Sequence, residues 1–169
     1  MVISDIDPKC GTHLPILEQI FRIVPIKRVF EYGCGLYSTK FFVDHCEYVE
    51  SVEMQSQEWY EKIRTELPSP KLSLKCLLGA VDAITYFDSL NKDFDLVFVD
   101  GHKHSRENAI NHAFNRSPTI VVHDTGRRAL RRHAASVRVP EGYTFKNICR
   151  YKPYTGVFSN NPYLMKELN

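Results

Sequence analysis

Three short stretches of this chain carry residue types and spacings that could do chemistry. Glu31-Tyr32-Gly33-Cys34-Gly35 is followed, after Leu36 and Tyr37, by Ser38-Thr39, which open a helical pattern. Glycines there let the backbone turn tightly and approach a ligand closely, and the free amides of the helix start point to the same crevice. A second stretch, Asp100-Gly101-His102-Lys103-His104, and a third, Val122-His123-Asp124-Thr125, each set ionisable groups just after a run of β-type residues. The imidazoles of the second stretch could act in proton transfer, and Asp100 and Asp124 could together hold a hard divalent cation through oxygen.

The glycine turn by itself suits any nucleotide. A dinucleotide fingerprint, GxGxxG, has a third glycine where this chain has Ser38. Glu31 before the turn suits a pyrophosphate poorly, but it can accept hydrogen bonds from a cationic amino-acid moiety. About twenty residues on, Glu53-Met54 supply a carboxylate able to take both hydroxyls of a ribose and a side chain able to pack on adenine.

Elements that must position these groups follow from hydrophobic period. β-type runs recur at Arg28–Tyr32, Tyr48–Val52, Leu72–Leu78, Leu96–Val99 and Thr119–Val122. Helical patterns follow them at Ser38–Cys46, Gln55–Leu67, Val81–Leu90, Ser105–Phe114 and Arg127–Val137, and a further helix over Thr12–Ile23, capped by Thr12, comes before the first strand. Strand–helix alternation with crossover-length connections predicts an α/β, doubly wound, mostly parallel sheet with helices on both faces. Tyr143–Cys149 and Tyr154–Phe158 predict a terminal antiparallel hairpin. The organisation expected is a single domain over 1–169, with an N-terminal helical extension (1–25), a βα core (26–138) and a hairpin and tail (139–169).

This order of elements resembles the class I, Rossmann-like methyltransferases, whose sheet has seven strands and a reversed last strand. Glu31, Tyr32, Gly33, Cys34, Gly35, Ser38 and Thr39 resemble the first signature motif of that family, and Glu53-Met54 its acidic position on the second strand. Gly79-Ala80-Val81-Asp82 resembles the segment that contacts adenine, which brings in Gly79, Ala80 and Asp82, although the acidic residue falls later than usual. The resemblance implies S-adenosylmethionine as cofactor and an activity of class EC 2.1.1.-.

Val99-Asp100-Gly101-His102 resembles the fourth-strand segment of small-molecule O-methyltransferases, in which the aspartate faces the sulfonium or helps hold a divalent metal. The resemblance thus implies Asp100 and Asp124 as catalytic residues and a small-molecule acceptor oxygen, and His102 joins them as a catalytic candidate by its place at the strand edge. The resemblance also raises a Mg²⁺ ion held by Asp100 and Asp124, but Thr125 stands where the family has a further Asp or Asn, which disfavours a metal. Without one, His102 or His104 would serve as base, His102 preferred for its place directly after Gly101; His13, His45, His112 and His133 have no supporting context. The Asn/Asp-Pro-Pro-Tyr sequence of amino-methyltransferases is absent after the fourth strand, and Asn161-Pro162-Tyr163 lies in the tail.

Composition bounds these readings. Of 169 residues, 43% are hydrophobic and 25% charged, as in ordinary folded domains. Twenty-two Lys and Arg against 20 Asp and Glu leave +2, too little to imply a nucleic-acid partner. Arg127, Arg128, Arg131, Arg132 and Arg138 nonetheless fall at helical spacing and could follow phosphates, so a nucleic-acid methyltransferase is the alternative reading, and a non-catalytic nucleotide-binding subunit a third. Five scattered cysteines without a CxxC pair, no secretory signal and no long apolar span lead to the expectation of a cytoplasmic protein with reduced thiols.

Overall fold

The computed structural model describes residues 11–126, 137–149 and 152–168. Seven strands form one sheet: β1 (Arg28–Tyr32), β2 (Tyr48–Glu53), β3 (Leu72–Cys76), β4 (Leu96–Val99), β5 (Thr119–His123), β6 (Thr144–Ile148) and β7 (Thr155–Ser159). Their order is β3-β2-β1-β4-β5-β7-β6, with β1 to β5 parallel and β7 antiparallel to both β5 and β6. This is the mixed, mostly parallel α/β sheet with a C-terminal hairpin that the alternation of periods predicts. The expected helix at Arg127–Val137 lies, but for Val137, outside the described residues.

The central strands carry apolar residues toward both faces, β4 at every position, because helices cover both sides of the sheet. On one face Val29, Val49, Leu96, Phe98 and Val121 pack against α1 (Leu14–Ile23) and α2 (Ser38–His45). On the other, Phe30, Val52, Val97, Val99 and Ile120 pack against α4 (Ala80–Ser89) and α5 (Arg106–Ala113). Alternate residues of a strand thus serve opposite layers. α3 (Gln57–Glu66) follows β2, with the Ser56 hydroxyl accepting from the Trp59 amide as its N-cap.

Three details depart from the sequence reading. Thr12 does not cap α1: His13 holds that position, and the Thr12 hydroxyl turns inward instead. β3 ends at Cys76, short of Leu78, since the chain then turns through Gly79, whose φ is +158°. A further helix, α6 (Pro162–Glu167), follows the hairpin. Asn161 caps it by accepting from the amides of Tyr163 and Leu164, with proline at the first turn. That Asn-Pro start was a readable helix signal.

Register levels the strand ends. Tyr32 pairs with Val52 on one side and Val99 on the other, and Val99 pairs with Val122. Gly33, Glu53, Asp100 and His123 therefore emerge side by side at the carboxyl edge of the sheet. In open α/β sheets this is the edge where ligands bind.

Candidate functional site

Glu31 is fully buried at the end of β1, one residue short of the turn. One of its oxygens, Oε2, accepts from the hydroxyls of Thr39 (2.6 Å) and Ser51 (2.5 Å). The other, Oε1, has no hydrogen-bond partner. Burial pushes its pKa up to about 7, against the opposing pull of the Ser38, Ser51 and Thr39 hydroxyls. A buried carboxylate with one idle oxygen fits a ligand that brings a cationic donor.

Gly33 has φ +88°, and a Cβ there would lie 2.7 Å from the Gly101 nitrogen. Its smallness serves a backbone-to-backbone approach between the ends of β1 and β4. Gly101 is also tightly packed, since a Cβ on it would meet the Met54 sulfur at 2.8 Å, but that contact is with a side chain that can turn aside. After the turn, the Gly35 amide donates to the Thr39 hydroxyl at 2.9 Å, and the Trp59 indole donates to the Cys34 carbonyl at 2.9 Å. The loop is held from both sides.

Glu53 accepts from the amides of Gln55 (2.7 Å) and Ser56 (3.0 Å) through Oε1, while its Oε2 faces the Cys34 thiol at 3.3 Å. Burial and the neighbouring Glu31 and Glu53 charges push the Cys34 thiol well above its ordinary range, so it stays protonated and unreactive. The carboxylate that would take a ribose is thus already oriented by the start of α3.

Beside the loop opens a cavity of about 440 Å³, lined among others by Gly35, Tyr37, Trp59, Asp100, His123 and Asp124. At its floor the Asp100 carboxylate meets His123 Nδ1 at 3.0 Å through Oδ2 and the Arg106 guanidinium at 3.0 Å through Oδ1. Burial pushes the Asp100 carboxyl up, but the His123 hydrogen bond and the His123 and Arg106 charges outweigh it and hold it below the usual carboxylate range. His123 Nε2 lies 3.0 Å from the Thr12 hydroxyl, which donates to the Pro153 carbonyl at 2.9 Å.

His13 packs on this pair, its ring 4.7 Å from that of His123 and 5.0 Å from that of Phe98. Neither of its ring nitrogens has a partner. Burial first, then the neighbouring His123, lower its pKa to about 3, so it is a neutral imidazole. Asp124 sits beyond, at φ +59°, with Lys103 Nζ 3.5 Å from its Oδ2.

Of the residues singled out in the sequence, Cys34, Gly35, Ser38, Asp100 and Asp124 line the cavity. Glu31, Gly33, Thr39, Glu53 and Met54 lie in or directly behind its loop wall. Tyr32 does not face it: its ring is fully buried against Phe30 and Phe87, and its carbonyl accepts from the Asp100 amide. His102 is exposed, its ring turned to His104 at 5.3 Å, and it does not line the cavity. Gly79, Ala80 and Asp82 also lie outside that lining, at the start of α4.

Sequence reading missed Thr12, His13, Trp59, Arg106 and His123. For His123 a signal existed: it follows Val122 as Asp100 follows Val99, and equal offsets on neighbouring parallel strands place two side chains together.

No protein-family model and no curated protein matches the sequence. Solved structures do match its shape. An O-methyltransferase from Bacillus cereus, in complex with S-adenosylhomocysteine, superposes with a TM-score of 0.72 at 16% identity, covering 94% of this chain and 84% of that one. The O-methyltransferase TomG from Streptomyces achromogenes, in complex with S-adenosylmethionine, gives 0.66 at 16% identity over 88% and 78% of the two chains. CalS10 from Micromonospora echinaspora, an amino pentose methyltransferase bound to S-adenosylmethionine, gives 0.63 at 12% over 94% and 93%. Across most of its length the chain has the class I, Rossmann-like fold of the S-adenosylmethionine-dependent methyltransferases. Among the described residues no helix is long and apolar enough to cross a membrane.

Proposed function

We propose that this protein is an S-adenosylmethionine-dependent methyltransferase that transfers a methyl group to an oxygen of a small molecule. One observation carries the reading: the glycine loop and the Asp100–His123 pair share a single cavity of about 440 Å³, of the size that holds small ligands.

When bound, S-adenosylmethionine supplies an electrophilic methyl group on a sulfonium. Glu31, through its idle Oε1, and the loop backbone hold the amino-acid end, while Glu53 and Met54 serve the ribose and adenine. Trp59, Tyr37 and Leu36 give the cavity an apolar wall against which an acceptor can lie. As the acceptor oxygen bonds to the methyl carbon and the carbon–sulfur bond breaks, the acceptor's proton must leave. With an incoming hydroxyl in place of Thr12, His123 takes that proton on Nε2 in the tautomer that carries its own proton on Nδ1, and Asp100 accepts from Nδ1–H and steadies the resulting imidazolium. His123 rather than His102 fills the role of base because it alone of the two reaches the cavity.

Calorimetric titration with S-adenosylmethionine and S-adenosylhomocysteine tests the reading. Saturable binding of both, weakened by Glu31→Ala, is expected; binding of neither would refute it.

A further inference from the structure

In the O-methyltransferases that the fourth strand resembles, Asp100 and Asp124 would be ligands of a divalent cation. The residues present do not fit that ion. The Arg106 guanidinium reaches both carboxylates at once, with Nη2 3.0 Å from Asp100 Oδ1 and Nη1 3.9 Å from Asp124 Oδ2. It is not a side chain swinging through solvent: Arg106 is 5% exposed, and it also donates to the carbonyls of His123 (2.6 Å) and Gly101 (3.0 Å).

Charge and donors agree with this. Lys103 and Arg106 balance Asp100 and Asp124 one for one, so an added divalent ion would bring two uncompensated charges into a partly buried site. Thr125, at the third ligand position, turns its hydroxyl away to donate to Asn147 Oδ1 at 2.7 Å. Among the described residues no three His, Cys, Asp or Glu side chains converge as a metal cage.

We infer that Arg106 is a built-in cation standing where a metal would stand, and that the site works without a divalent ion. Arg106 is a positioning residue: it clips the ends of β4 and β5 together and fixes Asp100 for His123. A guanidinium has no vacant position for a substrate oxygen, so it cannot act as a Lewis acid, and acceptor deprotonation falls to His123. The inference builds on the methyltransferase reading, but its test does not use the cofactor, so the two can fail separately.

Mn²⁺ serves as the probe, followed by electron paramagnetic resonance on the purified chain. The wild-type protein is expected to leave millimolar Mn²⁺ free. Arg106→Gln, which uncovers the two carboxylates, is expected to gain Mn²⁺ affinity by at least about tenfold, and Arg106→Lys, which keeps the charge, to gain none. Mn²⁺ bound by the wild-type chain and released by Asp124→Asn would overturn the inference, as would a folded Arg106→Gln variant with no gain. Should Arg106→Gln fail to fold, the wild-type arm decides alone: Mn²⁺ displaced by Asp124→Asn overturns the inference, and free Mn²⁺ supports it.

Discussion

The two walls of the cavity are built in opposite ways. On the loop side, Glu31, Gly33, Gly35, Ser38 and Thr39 come from nine consecutive residues, joined by a strand, a turn and one helical start. On the other side Thr12, Asp100 with Arg106, His123 and Pro153 come from four separate parts of the chain and meet through buried and half-buried hydrogen bonds. The first wall takes its functional residues from one stretch of chain, and Ser51, Trp59 and Gly101 only brace it from outside. The second exists only when the sheet is in register and α1 is docked on it.

That contrast can be broken at four points. The largest expected effect is on the local wall: Gly33→Ala combines left-handed backbone with a Cβ 2.7 Å from Gly101. A loss of roughly 4 kcal/mol of stability is expected, read by denaturant unfolding, together with loss of cofactor binding.

Next comes the assembled wall. The His13 pKa falls from 6.5 to about 3 on folding, so below 6.5 the unfolded chain takes up a proton that the folded chain refuses. The neutral imidazole's contribution is complete above pH 6.5 and is lost as pH falls toward 3. His13→Leu is expected to abolish that part of the acid instability, about 1.4 kcal/mol for each pH unit inside the window, in melting curves at stepped pH.

Glu31 has the opposite sign. Its pKa rises from 4.5 to about 7, so its protonated form supports the fold fully below 4.5 and this support is lost as pH rises through 7. Glu31→Gln is expected to gain stability relative to wild type as pH rises over that range, by about 1.4 kcal/mol for each pH unit, in the same melting curves. A relative gain on acidification instead would show that Oε1 is paired in solution. The smallest effect belongs to His102→Ala, expected to change stability by less than about 0.5 kcal/mol because the ring is exposed. A large loss of methyl transfer in a His102→Ala variant that folds as wild type does would return the base role to His102.

Much of the fold was legible because its signals are local. Strand and helix periods, the Glu31-to-Thr39 turn and the terminal hairpin each occupy contiguous residues, and β1, β4 and α2 start where their patterns start. Boundaries slipped where one residue decides them, as at Gly79 after β3 and at Asn161 before α6. Thr12 shows the limit of local reading: a good capping type by sequence, it is drawn inward by His123 and Pro153, partners more than a hundred positions away.

Sequence by itself determined the α/β alternation, the glycine turn with its preceding carboxylate, and the two aspartates at the ends of β4 and β5. Tertiary structure alone decided that His123, not His102, stands beside Asp100, that His13 is held neutral against them, and that Arg106 occupies the space between Asp100 and Asp124. The physical reason is the same each time. A turn is specified by neighbours in the chain, whereas a side chain's charge state and partner depend on burial and on register between strands, which no stretch of sequence carries alone.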